Sequence, residues 1–305
     1  MSVTVVICTH QRAALLRRAL LSIVEQARES GTAILVVDNA SSDDTAAVVS
    51  GFDSVGYVRE EQLGLCHARN RGWREASTPV VAFLDDDAVA APGWIAAVRG
   101  AFADGDPAVG CVGGPVLPDW EVPAPGWLSP RVALGLTIID WPGGRRHLTD
   151  LGAEWLAGAN LACRVAALEA VGGFHPWLGR QGSRLLSSEE VFLQKRLMQC
   201  GFACVYEPAM RVHHEVPAAR LSHASFRRRY FWQGVSDAVM DLIEHSPSRT
   251  RRARETAARS AKLLTRPARL VTLFRDTQDA TEFERQCWTW IAVGRVAGLL
   301  GAGGR

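Results

Sequence analysis

The stretch that most constrains how this chain folds is 80–87, with the sequence VVAFLDDD. Its five apolar residues do not alternate with polar ones, so they predict a strand buried on both faces of a parallel sheet. Three consecutive carboxylates, Asp85, Asp86 and Asp87, follow directly. Because ligands bind outside the carboxyl ends of strands in open α/β sheets, we expect these side chains at a ligand site.

The three carboxylates have two interpretations. Like charges side by side repel one another, and burial would raise their pKa values unless a cation neutralises them. Mg²⁺ and Mn²⁺ prefer such hard oxygen ligands and often bridge carboxylates to substrate phosphates. The alternative is an acidic turn that hydrogen-bonds local backbone amides. The triplet alone slightly favours the turn, and the rest of the chain decides.

Strand and helix patterns alternate through the first third of the chain. The predicted strands are 3–7, 34–37, 55–58, 80–84 and 109–112, and the predicted helices are 13–26, 64–76 and 92–102. Such alternation is typical of parallel βαβ units, and it brings the polar residues after each strand to one edge of the sheet. Asp38, after the second strand, suits a contact to a base or ribose as well as it suits a turn. Ser41 or Ser42 is expected to cap the next helix.

Charge divides the chain into an acidic body and a basic tail. Residues 217–305 hold 16 Lys and Arg against 8 Asp and Glu, whereas residues 1–216 hold 18 against 24. We interpret the basic segment 249–269 chiefly as a solvated helical face. The alternative is a surface for anionic lipid or a lipid-phosphate acceptor. Nucleic-acid binding is disfavoured, because the body is acidic and no nucleic-acid module is recognisable.

The N-terminal residues, the apolar runs and the cysteines together indicate the cellular compartment. Residues 1–11 lack the basic and apolar regions of a signal peptide, and no apolar run approaches the ~18 residues of a spanning helix. Seven scattered cysteines are typical of core thiols in a reducing compartment. We therefore expect a cytoplasmic protein, with peripheral attachment to the inner face of the membrane left open by the basic tail.

Four motifs carry a resemblance to a known family. They are VVICTHQR, VVDNASSDDT, GLCHARNRG and FLDDD. In this order and spacing they resemble the family 2 glycosyltransferases, inverting enzymes of GT-A fold that use nucleotide-diphospho-sugars. The resemblance implies an α/β protein with a GT-A-type nucleotide-binding central sheet flanked by helices. It implies a glycosyltransferase domain at 1–216, with a nucleotide-binding half at 1–113 and an acceptor and catalytic half at 114–216, and a basic helical C-terminal extension at 217–305.

The resemblance also implies the donor-binding residues. Thr9, His10 and Arg12 match the loop after the first strand that holds the base and ribose. Asp38 matches the family's base-binding acid. Arg69 matches the arginine of the ARN motif, which lies near the diphosphate in the family and can pair with phosphate oxygens in bidentate fashion.

The acidic triplet matches the family's DxD-type motif. By register we assign the metal, Mn²⁺ or Mg²⁺, to Asp87, and ribose or metal-water contacts to Asp85 and Asp86. The family places a histidine six residues after a proline such as Pro208. Residues 205–212 are predicted to form one extended segment that ends in His213 and His214. The spacing selects His214, the second residue of this pair, as a further metal ligand.

A pair of glutamates matches the family's catalytic acids. Glu189 and Glu190 stand where the family usually has Glu-Asp, whose second member is the base, so Glu190 is the expected base. Ser187 with Glu190 also forms a capping box that would open a helix. Both interpretations can hold, because a helix N-terminus stabilises a carboxylate in its charged form.

The segment 114–180 is rich in proline and holds five of the ten tryptophans. Tryptophan rings can stack on sugars, although most are expected simply to cover the sheet. GGPVLPDWEVPAPGWL resembles a segment of one bacterial branch of the family, which supports an acceptor-binding region. The expected acceptor contacts are Trp155, Asn160 and Trp177.

The sequence thus predicts a metal-dependent, inverting hexosyltransferase. The donor would be a UDP-, GDP- or dTDP-sugar, and the acceptor a hydroxyl of a glycan, lipid-linked sugar or natural product. One alternative is a non-catalytic sugar-nucleotide or glycan-binding protein, which would keep Asp38 and the tryptophans without turnover. A sugar-phosphate nucleotidyltransferase is less favoured, because its Gly-rich N-terminal loop and reactive lysine are missing.

Overall fold

The computed structural model describes residues 1–103, 105–265 and 267–303, without the side chains of 268 and 269. Residue 266 and the side chain of 269, both in the predicted basic segment, lie outside the described part. The strands are β1 (Val3–Thr9), β2 (Ala33–Asp38), β3 (Val55–Arg59), β4 (Val80–Asp85), β5 (Ala88–Ala90), β6 (Val109–Gly113), β7 (Val116–Trp120), β8 (Arg146–His147), β9 (Asn160–Arg164), β10 (Ala203–Tyr206) and β11 (Val212–Val216). The α-helices are α1 (Ala13–Ser30), α2 (Thr45–Ser50), α3 (Leu65–Glu75), α4 (Trp94–Ala101), α5 (Pro130–Ala133), α6 (Val165–Val171), α7 (Glu189–Gln199), α8 (His223–His245), α9 (Arg249–Leu264), α10 (Pro267–Val271) and α11 (Ala280–Leu299).

The larger sheet has the strand order β3-β2-β1-β4-β9-β6-β10-β8. Strands β1 to β4 pair in parallel, as the alternation predicts. All residues of β1 are buried, and so are all of β4 except its final Asp85. The two-sided burial predicted for this stretch is therefore confirmed, and its apolar run is the centre of the sheet.

Two strand predictions are corrected. The strand at 109–112 does not follow β4 across the sheet, because β9 lies between them and runs antiparallel to both. The single extended segment predicted at 205–212 is two strands in different sheets. β10 closes beside β6, whereas β11 is the middle strand of a small sheet ordered β5-β11-β7. The two histidines therefore lie within β11 rather than after a strand.

The helix predicted after Asp38 begins later than expected. α2 starts at Thr45, where Asp44 makes no side-chain cap hydrogen bond and Asp43 Oδ1 instead accepts from the Thr45 amide at 3.2 Å. Ser41 is engaged in the preceding loop instead, where its amide donates to Asp38 Oδ1 at 2.9 Å and its hydroxyl accepts from the Gln11 amide at 3.0 Å. The serine thus ties two loops of the sheet edge together.

The helix α7 begins one residue later than the capping box of Ser187 and Glu190 requires. The helix begins at Glu189, so Ser187 does not stand immediately before it. The Ser187 hydroxyl donates to Gln233 Oε1 at 3.1 Å. Glu189 and Glu190 nevertheless both occupy the first turn of α7, where the helix dipole favours negative charge.

The described residues divide into two compact units. The sheet unit contains Met1–Asp119, Thr137–Pro176 and Glu189–Glu215, and the helical unit contains Trp120–Leu136, Trp177–Ser188 and the described residues from Val216 onward. Thus two segments of the predicted 114–216 half belong to the helical unit in this division. The core of the sheet unit includes Phe83 and Phe174, whose rings meet edge to face at 5.3 Å. Across the described residues, no helix combines the length and the hydropathy that a membrane span requires.

Candidate active site

The acidic turn, Asp85–Asp87, joins β4 to β5 at the carboxyl edge of the parallel strands. The Thr9 hydroxyl, at the end of the neighbouring β1, donates to Asp86 Oδ2 at 2.7 Å. Arg12 Nη1 donates to Asp86 Oδ1 and to Asp87 Oδ2, each at 3.0 Å. The loop after β1 and the acidic turn therefore form one continuous polar surface, as the convergence of strand ends predicts.

The neighbours of Asp86 do not supply enough positive charge to stabilise its charged form. It is 5 % exposed, and burial raises its pKa to about 7, with Asp87 adding to the rise and Arg12 and the Thr9 hydrogen bond opposing it. Burial removes the water that would solvate the Asp86 carboxylate, and the contacts with Arg12 and Thr9 do not make up for that loss. A cation at this turn would relieve that imbalance.

Asp87 and His214 face each other across the small sheet. Asp87 Oδ1 lies 3.2 Å from His214 Nε2, because β11 pairs with β5 and sets His214 opposite Ala88. His214 is 4 % exposed, whereas His213 points outward. His214 Nδ1 is also buried without a hydrogen-bond partner among the described residues. A carboxylate oxygen, an imidazole nitrogen and an under-neutralised acidic turn fit a divalent cation such as Mn²⁺.

Arg69 is a buried cation that connects the acidic turn to α7. Its side chain is 2 % exposed, and it donates to Asp85 Oδ1 at 3.0 Å and to Glu189 Oε1 at 2.8 Å. The guanidinium lies over the Phe174 ring, 5.4 Å from its centroid. Gly158 makes room for it, since a Cβ there would lie 2.7 Å from the nearest guanidinium atom. The arginine expected at the diphosphate is therefore engaged with two carboxylates, and its phosphate contact stays a prediction.

The two glutamates of α7 differ in their surroundings. Glu189 is 6 % exposed and is held by Arg69, with its Oε2 buried and unpaired among the described residues. Glu190 is half-buried. The pair is thus asymmetric, with one member fixed by an ion pair in the interior and the other nearer to solvent.

Asp38 lies in a pocket of hydrogen-bond donors at the end of β2. Besides the Ser41 amide, the Tyr57 hydroxyl donates to it at 2.6 Å and Arg59 Nη1 at 3.2 Å. Burial tends to raise the Asp38 pKa, but the hydrogen bonds from Ser41 and Tyr57, with the charge of Arg59, bring it below its usual value. The Asp38 pocket, comprising these four residues, therefore holds a stable anion.

Sequence reasoning missed Tyr57 and Arg59. Both come from β3, whose register sets Arg59 opposite Asp38. The available signal was a charged residue directly after the predicted strand 55–58, at the same edge as the other polar clusters. His10 shares this edge, where its Nδ1 lies 2.7 Å from the Asn39 carbonyl oxygen. The loop is also strained, since Gln11 has a φ of 56°.

The acceptor contact predicted for Asn160 is contradicted. Asn160 is fully buried in β9. Its Oδ1 accepts from Trp94 Nε1 at 2.8 Å, and its Nδ2 donates to the carbonyl oxygens of Pro115 at 3.0 Å and Met210 at 2.6 Å. The amide satisfies buried backbone and indole groups, so it is a structural residue.

The two tryptophans expected at the acceptor lie in different units. Trp155 is half-buried in the sheet unit, where its ring meets Trp141 edge to face at 5.1 Å. Trp141 Nε1 also donates to the Trp155 carbonyl oxygen at 2.8 Å. Trp177 belongs to the helical unit and is 47 % exposed. Their acceptor roles stay predictions.

Sequence comparison identifies the family. The profile described as "Glycosyl transferase family 2" matches residues 4–134. A glucosyl-dolichyl phosphate glucuronosyltransferase of Haloferax volcanii is 30 % identical over 250 residues, which cover 80 % of this chain and 78 % of that protein. The chain belongs to glycosyltransferase family 2. The predicted family and the predicted glycosyltransferase activity with a nucleotide-sugar donor are confirmed.

Solved structures of similar fold agree. A mannosyltransferase from Pyrobaculum calidifontis, solved with GDP-Man and Mn²⁺, gives a TM-score of 0.61 at 20 % identity and covers 98 % of this chain and 86 % of that one. The S. aureus TarS 1-349 structure with UDP-GlcNAc gives 0.56 at 16 % identity, covering 79 % and 67 %. At these identities the likeness shows the fold. The predicted α/β architecture of GT-A type, with a helical C-terminal part, is confirmed for this family 2 glycosyltransferase.

Proposed function

We propose that this glycosyltransferase moves a sugar from a nucleoside diphosphate to an acceptor hydroxyl in one metal-dependent displacement with inversion. The observation that carries the proposal is the contact of Asp87 with His214 beside a buried acidic turn that is short of positive charge. The Mn²⁺ in the similar mannosyltransferase structure supports the choice of cation. Asp87 and His214 would hold the ion, which when bound neutralises charge developing on the departing nucleoside diphosphate.

The residues around the acidic turn have assigned tasks in this proposal. Thr9, His10, Arg12 and Asp38 orient the base and ribose of the donor, and Asp85 and Asp86 contact the ribose or the waters of the ion. UDP, GDP and dTDP remain candidate nucleotides, which thermal stabilisation with each would distinguish. A nucleotide at 100 times its dissociation constant should add about 2.7 kcal/mol.

Glu190 is the proposed general base. It accepts the proton of the acceptor hydroxyl as that oxygen attacks the anomeric carbon and the bond to the diphosphate oxygen breaks. Glu189 positions α7 through its ion pair with Arg69. One base and no covalent nucleophile make a single displacement, so the product should have inverted configuration.

A lipid-linked sugar is the acceptor class that we favour over a free glycan or a natural product. The support is the name of the Haloferax relative, a transferase that acts on glucosyl-dolichyl phosphate. Incubating the protein and a labelled donor with a panel of the three acceptor classes tests this choice. Transfer to soluble acceptors alone would contradict it.

Replacing the two glutamates separately tests the base assignment. Glu190→Gln keeps the size of the side chain but cannot accept the proton, so turnover should fall roughly 10²–10⁴-fold while nucleotide affinity stays near wild type. Glu189→Gln is the matched control and should cost less. Near-normal turnover of Glu190→Gln, or retained anomeric configuration by NMR, would refute the mechanism.

The metal assignment has its own test. Asp87→Ala should abolish the difference in nucleotide affinity that Mn²⁺ makes to the wild type, as measured by calorimetric titration with and without the ion. If the variant keeps the wild-type metal effect, Asp87 is not a ligand.

A further inference from the structure

The helix α9 lies entirely at the surface of the helical unit, since none of its side chains is buried. Six of its sixteen residues are cationic, namely Arg249, Arg251, Arg252, Arg254, Arg259 and Lys262. Its single acid, Glu255, is paired with Arg259 at 2.7 Å. The helix therefore presents a strong excess of positive charge to solvent.

The two sides of α9 differ. The half-buried side includes Arg252, Thr256, Arg259 and Leu263, and Arg252 Nε donates to the Leu299 carbonyl oxygen of α11. On the exposed side, 3.6 residues per turn bring four apolar residues together, Ala257, Ala258, Ala261 and Leu264. By the same periodicity, Arg254 lies among these apolar residues, and Arg251 and Lys262 flank them along one margin. The outward face of α9 therefore combines apolar residues with cations, as helices that lie in a membrane interface do.

Large apolar side chains are exposed at the end of α9 and in the residues after it. Leu264 is 70 % exposed, Val271 82 % and Phe274 73 %. Phe274 is nevertheless supported, because its ring meets Trp290 edge to face at 5.3 Å. Leu264 is the last residue of α9, Val271 and Phe274 follow before α11, and in water all three leave apolar surface uncovered.

We propose that α9, Val271 and Phe274, together the basic apolar surface, dock this glycosyltransferase on an anionic lipid bilayer. The charged ends of the Arg and Lys side chains attract lipid phosphates, and their apolar stems lie along the interface. Leu264 and Phe274 enter the boundary between headgroups and acyl chains. A soluble polyanion would match the charge but would leave Leu264, Val271 and Phe274 in water. None of these residues belongs to the sheet unit, so docking does not rest on the proposed transfer chemistry.

A second arginine cluster of the helical unit, 227–229, is bound to acceptors within that unit. Arg227 pairs with Asp276 at 2.9 Å, Arg228 donates to the Ser183 carbonyl oxygen at 3.2 Å, and Arg229 donates to that of Gly135 at 3.1 Å. These contacts hold the helical unit together. The cluster is therefore not the docking surface, and α9 carries the inference.

Co-sedimentation of the full chain with vesicles tests the charge. Binding should occur with phosphatidylcholine vesicles containing about one third phosphatidylglycerol, fail with pure phosphatidylcholine, and weaken as salt rises. Each cation near such a surface contributes about fivefold, so Arg251→Gln with Arg254→Gln should weaken binding about 25-fold. The matched control, Arg17→Gln with Arg196→Gln, removes two exposed arginines of the sheet unit and should change binding less than about twofold.

A second pair of changes tests insertion. Leu264→Ser with Phe274→Ser should weaken binding at every salt concentration, whereas Leu21→Ser, at a residue of α1 that is 56 % exposed, should not. Retained nucleotide affinity and an unchanged circular dichroism spectrum identify folded variants and keep this test separate from the transfer reaction. The proposal is overturned if the full chain stays in the supernatant at low salt, if the control arginines matter equally, or if the serine pair has no effect. Displacement from vesicles by duplex DNA at low concentration would also overturn it, in favour of a nucleic-acid surface.

Discussion

Asp38 and Asp86 are two buried carboxylates at the same sheet edge, yet their pKa values move in opposite directions. Asp38 ends β2 and is 1 % exposed, and its pKa is below the usual value. Asp86 follows β4 and is 5 % exposed, and its pKa is raised to about 7. Burial alone would raise both pKa values, so the neighbours decide the difference.

The Asp38 pocket is complete by itself. Donors from Ser41, Tyr57 and Arg59 converge on the one carboxylate of Asp38. Among the described residues, Glu61 is the one other acid within hydrogen-bond distance of these donors, through Arg59. Around the acidic turn, Arg12 and Arg69 are divided among four carboxylates. A carboxylate whose charge is stabilised by donors of the protein itself suits the binding of a neutral group. A group of four carboxylates with only two arginines suits the binding of an added cation.

Removing one arginine from each side of this comparison should give the largest effect. Arg69→Met leaves Glu189 buried without its partner, which should cost about 3–5 kcal/mol of unfolding free energy. Arg59→Met is the matched control, since its side chain is 40 % exposed and its loss should cost less than about 1 kcal/mol. Urea denaturation followed by tryptophan fluorescence measures both. Equal losses would show that the two arginines are equivalent and that the contrast between the two sides is wrong.

Local sequence pattern predicted the parallel half of the fold. Continuous apolar runs marked the buried strands, and strand-helix alternation brought their polar ends together, so the contacts of Thr9 and Arg12 with the acidic turn follow from sequence. The insertion of β9 beside β4 did not follow, because antiparallel pairing between segments about eighty residues apart leaves no local signal. Sheet order is decided by such distant pairings.

The site was predicted less completely than the fold. The bond from Arg69 to Glu189 joins residues 120 positions apart, and the motif that contains Arg69 carries no sign of its partner. Asn160 misled for a different reason. In sequence, a polar residue in a loop of small residues can be either a ligand contact or a buried structural amide. The structure shows that the Asn160 amide bonds to backbone carbonyl oxygens and to Trp94.

The pH dependence of stability should differ in sign between the two acids when EDTA removes metal. The pKa of Asp86, about 7 in the folded protein, exceeds its unfolded value of about 4, so wild-type stability should fall as pH rises between these values. Asp86→Asn removes that fall and should be the more stable protein above pH 7, by on the order of 2–4 kcal/mol.

Asp38→Asn should show the opposite behaviour. Because the folded pKa of Asp38 is lowered, its contribution is present above the unfolded pKa of about 4 and is lost as pH falls through the folded value. The variant should therefore lose stability at neutral pH and approach wild type in acid. Urea denaturation of the three proteins between pH 3 and 8 measures both trends, and parallel profiles would show that burial alone governs these acids.

The smallest expected effect concerns one donor of the Asp38 pocket. Tyr57→Phe removes the 2.6 Å hydrogen bond but leaves the Ser41 amide and Arg59 in place. Tyr57 is 40 % exposed, so the cost should lie near the lower end of about 0.5–1.5 kcal/mol at neutral pH.

With one donor fewer, the pKa of Asp38 should rise toward its usual value, and acid destabilisation should begin at a higher pH than in the wild type. A double-mutant cycle with Asp38→Asn isolates this bond from any change in packing of the ring. If the hydrogen bond to the charged carboxylate is what Tyr57 contributes, the Phe substitution should cost less in the Asn background, where the acceptor is neutral. An undiminished cost there would assign the effect to the ring on β3, and the low pKa of Asp38 would then rest on the Ser41 loop and Arg59.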